Sequence, residues 1–79
     1  MLEFRYLEKI YKEVFNVDVI KNENCSLISD YYDYEAIDIF YFLYLISEHY
    51  NIDIQRFFDI MDDLSYKKIS ELVKSFEKE

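Results

Sequence analysis

The 79 residues of this chain include neither glycine nor proline. Without glycine, no position enters left-handed backbone free of a side-chain penalty, and flexible linkers are ruled out as well. Such a sequence suits helices joined by polar turns. It also excludes the glycine-rich loops that cradle phosphates and dinucleotides.

A chain this short makes one domain, residues 1–79, and buries only about 60% of the surface that it exposes when unfolded. With 52% hydrophobic and 20% aromatic residues it is too apolar to stay disordered, even at a net charge of -8. The excess of acid argues against binding a nucleic-acid backbone, which Lys and Arg would hold, and favours a protein partner with a basic or apolar patch. The longest apolar run, Ile37 to Ile46, is interrupted by Asp38 and falls well short of the roughly 20 residues that a membrane span needs. The N-terminus reaches Glu3 at once and has no secretory pattern. A cytoplasmic monomer is expected.

Cys25 is the single cysteine and His49 the single histidine, too few for a four-ligand zinc site, and Cys25 is read as a partly buried structural thiol. Asp59, Asp62 and Asp63 lack the spacing of a calcium loop. No metal is expected. His49 has no serine, cysteine or carboxylate partner recognisable by spacing, so it is read as structural or solvent-facing, and no enzyme activity is expected.

Helical periodicity recurs along the chain. Phe4, Leu7, Ile10, Tyr11 and Val14 mark an amphipathic helix over Leu2 to Phe15, with Asn16 suited to end it. The segment from Asn16 to Tyr34 is rich in Asp, Asn and Ser and forms a long loop, pinned to the core by Val17, Val19, Ile20, Leu27 and Ile28. A second helix runs from about Glu35 to Tyr50, with Asp33 as its cap and Phe40, Phe42, Leu43, Ile46 and Tyr50 facing the core. Arg56 to Met61 make one or two further turns, with Phe57, Ile60 and Met61 on one face. Ser65 then caps a last helix from Tyr66 to Phe76, where Lys67, Lys68, Lys74 and Lys78 concentrate. The alternation in Val17-Asp18-Val19 and Ile52-Asp53-Ile54 leaves a two-strand α+β reading open beside the helical one.

The stretch Tyr31-Tyr32-Asp33-Tyr34-Glu35-Ala36-Ile37-Asp38, a long apolar helix, and Tyr50-Asn51-Ile52-Asp53-Ile54 resemble acyl carrier proteins. That family has Asp-Leu-Gly-x-Asp, then Asp-Ser-Leu or Asp-Ser-Ile, and a closing segment like Phe-Gly-Ile-Glu-Ile. The resemblance implies an all-α four-helix bundle with a long first loop and a short third helix. It departs from the family at Ala36, which stands where a serine takes 4'-phosphopantetheine, and at Asp33, which stands at a glycine. Ala36 has no oxygen for the phosphodiester, so no cofactor is expected. Ser26, Ser29, Ser47, Ser65 and Ser70 do not have the motif around them.

What survives of the family's machinery is the docking helix. Its outward positions are expected to be Ile37, Tyr41, Tyr44, Leu45 and Glu48, with Glu35 and Asp38 at its start. Tyr41 and Tyr44 are either interface anchors or a cover over a small core. Glu35 and Asp38 either stabilise the positive end of the helix or dock a partner. The leading expectation is a non-acylated, carrier-derived protein that binds another protein, similar to carrier-related proteins of bacterial peptide and bacteriocin maturation systems. The alternatives are a genuine carrier whose serine was replaced by Ala36, and an acidic inhibitor or immunity protein.

Overall fold

The computed structural model describes residues 2–77. Four α-helices follow one another: α1 (Leu2–Phe15), α2 (Ala36–Tyr50), α3 (Gln55–Phe58) and α4 (Tyr66–Glu77), with a 3-10 turn at Met61–Asp63. Among the described residues there is no strand, only an isolated antiparallel bridge between Ser26 and Ser65. Val17-Asp18-Val19 and Ile52-Asp53-Ile54 are therefore not strands. Lys78 and the side chain of Phe4 lie outside the described residues.

In place of glycine, Asn and Asp take the left-handed positions, with φ of 56° at Asn16, 57° at Asp33 and 58° at Asn51. These two residue types tolerate that region because their short polar side chains bond locally. At the end of α1, the Val17 N–H donates to the Lys12 carbonyl at 3.1 Å. At the end of α2, Ile52 does the same to Ser47 at 3.0 Å. Both are the six-to-one closure that normally follows a left-handed residue, so Asn16 and Asn51 stop their helices as glycine would. The expectation for Asn16 holds. At the front of α4, the Lys68 N–H donates to Ser65 Oγ at 3.2 Å, which makes Ser65 the cap expected from the sequence.

Asp33 is not the cap of α2. The capping position is Glu35, whose extended backbone (φ -82°, ψ 145°) lets its carbonyl accept from Asp38 and Ile39, while its side chain caps nothing. Asp33 lies two residues earlier, in left-handed backbone from which the chain turns into the helix.

The core gathers Leu7, Ile10, Tyr11 and Phe15 of α1, Ile39, Phe42, Leu43 and Ile46 of α2, Phe57 of α3, and Ile69 and Val73 of α4. The phase of α2 differs from the expectation in one respect. Phe40 was expected inside and is 48% exposed, whereas Ile39 is 3% exposed and Tyr50 only partly buried. The inward stripe is 39, 42, 43, 46 and 50, the i, i+3, i+4, i+7, i+11 series of one helix face. Steps of three drift by about 60° each, so Phe40, one step before Leu43, falls off the face that Leu43 and Ile46 share.

The long connection between α1 and α2 is fastened by main-chain bonds. Leu27 N–H donates to the Leu64 carbonyl and Lys67 N–H to the Glu23 carbonyl, both at 2.8 Å, and Leu27 is fully buried. Val17 and Ile20 pack against the core as expected. Val19 and Ile28 do not, being 58% and 53% exposed. Arg56 lies over the Phe76 ring at 5.9 Å, joining the short α3 to α4.

Candidate functional site

On the side of α2 away from the core, Ile37, Phe40, Tyr41 and Tyr44 are all about half exposed or more, Ile37 at 72%. Their spacing is again i, i+3, i+4, i+7, continued by exposed Glu48. One helix thus carries two parallel stripes, one inward and one outward, because nearly every position from Ile37 to Ile46 is apolar. An outward stripe of this kind is unusual in a helix whose other face already fills the core. Phe58 of α3, 39% exposed, extends it, meeting Phe40 edge to face with ring centroids 6.3 Å apart.

Of the positions expected outward, Ile37, Tyr41, Tyr44 and Glu48 are there, and Glu35 is exposed at the helix start. Asp38 is half-buried in the first turn, where its charge favours the helix dipole. Leu45 is a correction: it packs partly buried against the core and leaves the outward set. Phe40 and Phe58 join the exposed surface although the sequence reading assigned neither to it. The 37/40/41/44 spacing carried the signal for Phe40. Among the described residues the one ion pair is Lys12–Glu8 at 3.0 Å, so Glu35, Asp38 and Glu48 keep their charges unpaired along this face. Ala36 is exposed at the first position of α2.

Behind this face lies a cluster of aromatic rings. Phe15, Tyr34 and Tyr32 form a stacked column, with centroids 4.1 and 4.8 Å apart and planes within 16° and 12°. Tyr11, beneath it, shares a hydrogen bond with Tyr34 between their hydroxyls at 3.1 Å, and the Tyr32 hydroxyl donates to the Asn22 carbonyl. Burial, reinforced by Tyr34, pushes the Tyr11 hydroxyl far above the usual phenol range. Burial also raises Tyr32, and burial together with Glu8 and Glu23 pushes Tyr66 up to about 12.

A pKa raised on folding means that the folded state holds the proton more tightly, so the associated stability is intact below the unfolded value of about 10 and is lost above it. Each tyrosine kept neutral in the fold then costs about 1.4 kcal/mol of stability per pH unit. Helical circular dichroism is expected to collapse between about pH 10 and 12, in step with the rise of tyrosinate absorbance. Tyr11→Phe/Tyr66→Phe should keep its helix to higher pH, and an unmoved midpoint would count against these two residues as the cause.

Cys25 is half-buried with its Sγ 3.0 Å from Ser29 Oγ, which fits the structural reading. His49 is exposed and stacks on Tyr6 at 3.7 Å. Among the described residues no group of three or more His, Cys, Asp or Glu is arranged to hold a metal, and no helix is long and apolar enough to cross a membrane. Comparison with family models, curated proteins and solved structures finds no significant match.

Proposed function

We propose that this chain is an acyl-carrier-like module that carries no phosphopantetheine and acts by docking a protein partner onto the outer face of α2. The observation that carries this reading is the exposed stripe Ile37, Phe40, Tyr41 and Tyr44, which begins one residue after Ala36 and has beside it acids that make no ion pair among the described residues. Tyrosine suits such a surface because its ring offers apolar area at small entropic cost while the hydroxyl stays wet. The partner presents an apolar centre with basic groups around it, and a peptide-modification system is the setting we favour.

Carrier descent draws support from the backbone. The two glycines of the carrier motifs correspond to Asp33 and Asn51, and these are left-handed, with φ of 57° and 58°. A glycine position that has lost its glycine but kept its conformation is what drift from a carrier ancestor would leave. Covalent attachment of the arm does not fit Ala36, whose methyl group offers no nucleophilic oxygen. The other serines considered as substitutes are engaged internally: Ser26 with the Ile28 N–H, Ser29 with Cys25, Ser47 with the Tyr44 carbonyl, Ser65 with the Lys68 N–H and Ser70 with the Lys67 carbonyl.

Intact mass after incubation with coenzyme A and a broad-specificity phosphopantetheinyl transferase tests the proposal. Ala36→Ser is expected to gain the arm and the native chain to remain unchanged. Modification of the native chain would move the attachment site elsewhere, and no modification of Ala36→Ser would remove the carrier reading.

A further inference from the structure

The first connection holds a second feature, lined by none of the residues of the α2 stripe. Its two ends, 17–21 and 31–34, face each other across an open cleft of about 320 Å³ lined by Val17, Val19, Lys21, Tyr31, Tyr32 and Tyr34. That volume is at the lower end for small-molecule sites. One wall is aliphatic and the other aromatic, with Tyr31 edge-on to Tyr32 at 4.9 Å and Tyr32 stacked on Tyr34. Two of the three rings of the aromatic wall are fixed in advance, because the Tyr32 hydroxyl donates to the Asn22 carbonyl and the Tyr34 hydroxyl is bonded to Tyr11. A ligand therefore meets the edges of the stacked Tyr32 and Tyr34 rings, with little ordering of those two side chains left to undergo.

Lys21 is the only charged residue lining the cleft, and it makes no ion pair with a described residue even though acids outnumber bases in the chain by 17 to 9. Asp18, Asp30 and Asp33 belong to the same connection but do not line the cleft. A lone ammonium lining a tyrosine-walled slot of mixed polar and apolar surface selects for one negative charge on a flat hydrophobic body and against a positive one. We infer that the cleft between 17–21 and 31–34 binds a small aromatic carboxylate, its ring against Tyr32 and Tyr34 and its carboxylate on Lys21. This site stands independently of the docking reading of α2.

Naphthoate is a suitable probe, with naphthylmethylammonium as the control of opposite charge, each titrated into the full chain and followed by amide and side-chain NMR shifts. Naphthoate is expected to move Val17, Val19, Lys21, Tyr32 and Tyr34. Lys21→Met should weaken it about tenfold, equivalent to about 1.4 kcal/mol, while the spectrum otherwise keeps its native dispersion. Tyr41→Ser/Tyr44→Ser should leave the affinity unchanged. The assignment is overturned if naphthylmethylammonium binds the cleft as well as naphthoate does, if the shifts centre on Ile37, Phe40 and Tyr44, if Lys21→Met binds normally, or if naphthoate moves nothing.

Discussion

Phe42→Ala is expected to destabilise the protein by about 3–5 kcal/mol, the range for removing a buried phenylalanine side chain. Phe42 is fully buried and meets Tyr11 edge to face at 5.5 Å and Phe15 at 5.4 Å. It is thus the α2 ring on which two aromatic residues of α1 pack. Phe15 is held in its stack with Tyr34, and Tyr11 by its hydrogen bond to the Tyr34 hydroxyl, which limits how far either ring can collapse into the space left behind. Against a total stability of about 5–15 kcal/mol, low in that range for so small a domain, this loss leaves a large unfolded fraction. Phe40→Ala, two residues away, should cost less than about 1 kcal/mol because its ring is half in solvent already. Urea unfolding of the two variants checks the pair, and equal midpoints would mean that α2 is rotated from the phase described above.

That contrast also marks where the sequence was readable and where it was not. Helix limits were legible wherever one residue type has one local job. Asn16 ends α1 through left-handed backbone, and Ser65 caps α4 through its hydroxyl. The phase of α2 was not legible from steps of three, because Ile37, Ile39, Phe40, Phe42, Leu43, Leu45 and Ile46 leave almost no polar side to orient the helix. What orients it is α1 and α4, whose apolar stripes are narrow and meet only one face of it. Side-chain preference alone points to Asp33 as a cap, yet the turn uses its tolerance of positive φ. The first connection depends on Leu27 bonding to Leu64 and on Glu23 bonding to Lys67, partners about forty residues away that no local pattern announces. On the outer face Tyr41 and Tyr44 are exposed as the spacing predicts, the ambiguity of phase hides Phe40, and Phe58 comes from the separate short helix α3, which the pattern of α2 does not announce.

Tyr41→Ser/Tyr44→Ser, made in the Ala36→Ser background, is expected to lower kcat/KM for loading by the phosphopantetheinyl transferase by roughly two to three orders of magnitude, that is about 3–4 kcal/mol shared between two interface anchors. The transferase serves as a probe of the face because it must approach the start of α2, where Ala36 is exposed, and the stripe begins there. Both tyrosines are more than half exposed, at 53% and 51%. Serine and tyrosine have nearly equal helix propensity, so α2 should survive the exchange. The hydrogen bond from Ser47 Oγ to the carbonyl of residue 44 uses the main chain and is untouched by the substitution. Far-ultraviolet circular dichroism therefore separates the two roles that a tyrosine in this position can have. Slow loading with unchanged helicity and unchanged urea midpoint assigns the pair to docking. Slow loading with a matching fall in stability makes them cover for the core, and normal loading removes the outer face of α2 from recognition by this enzyme.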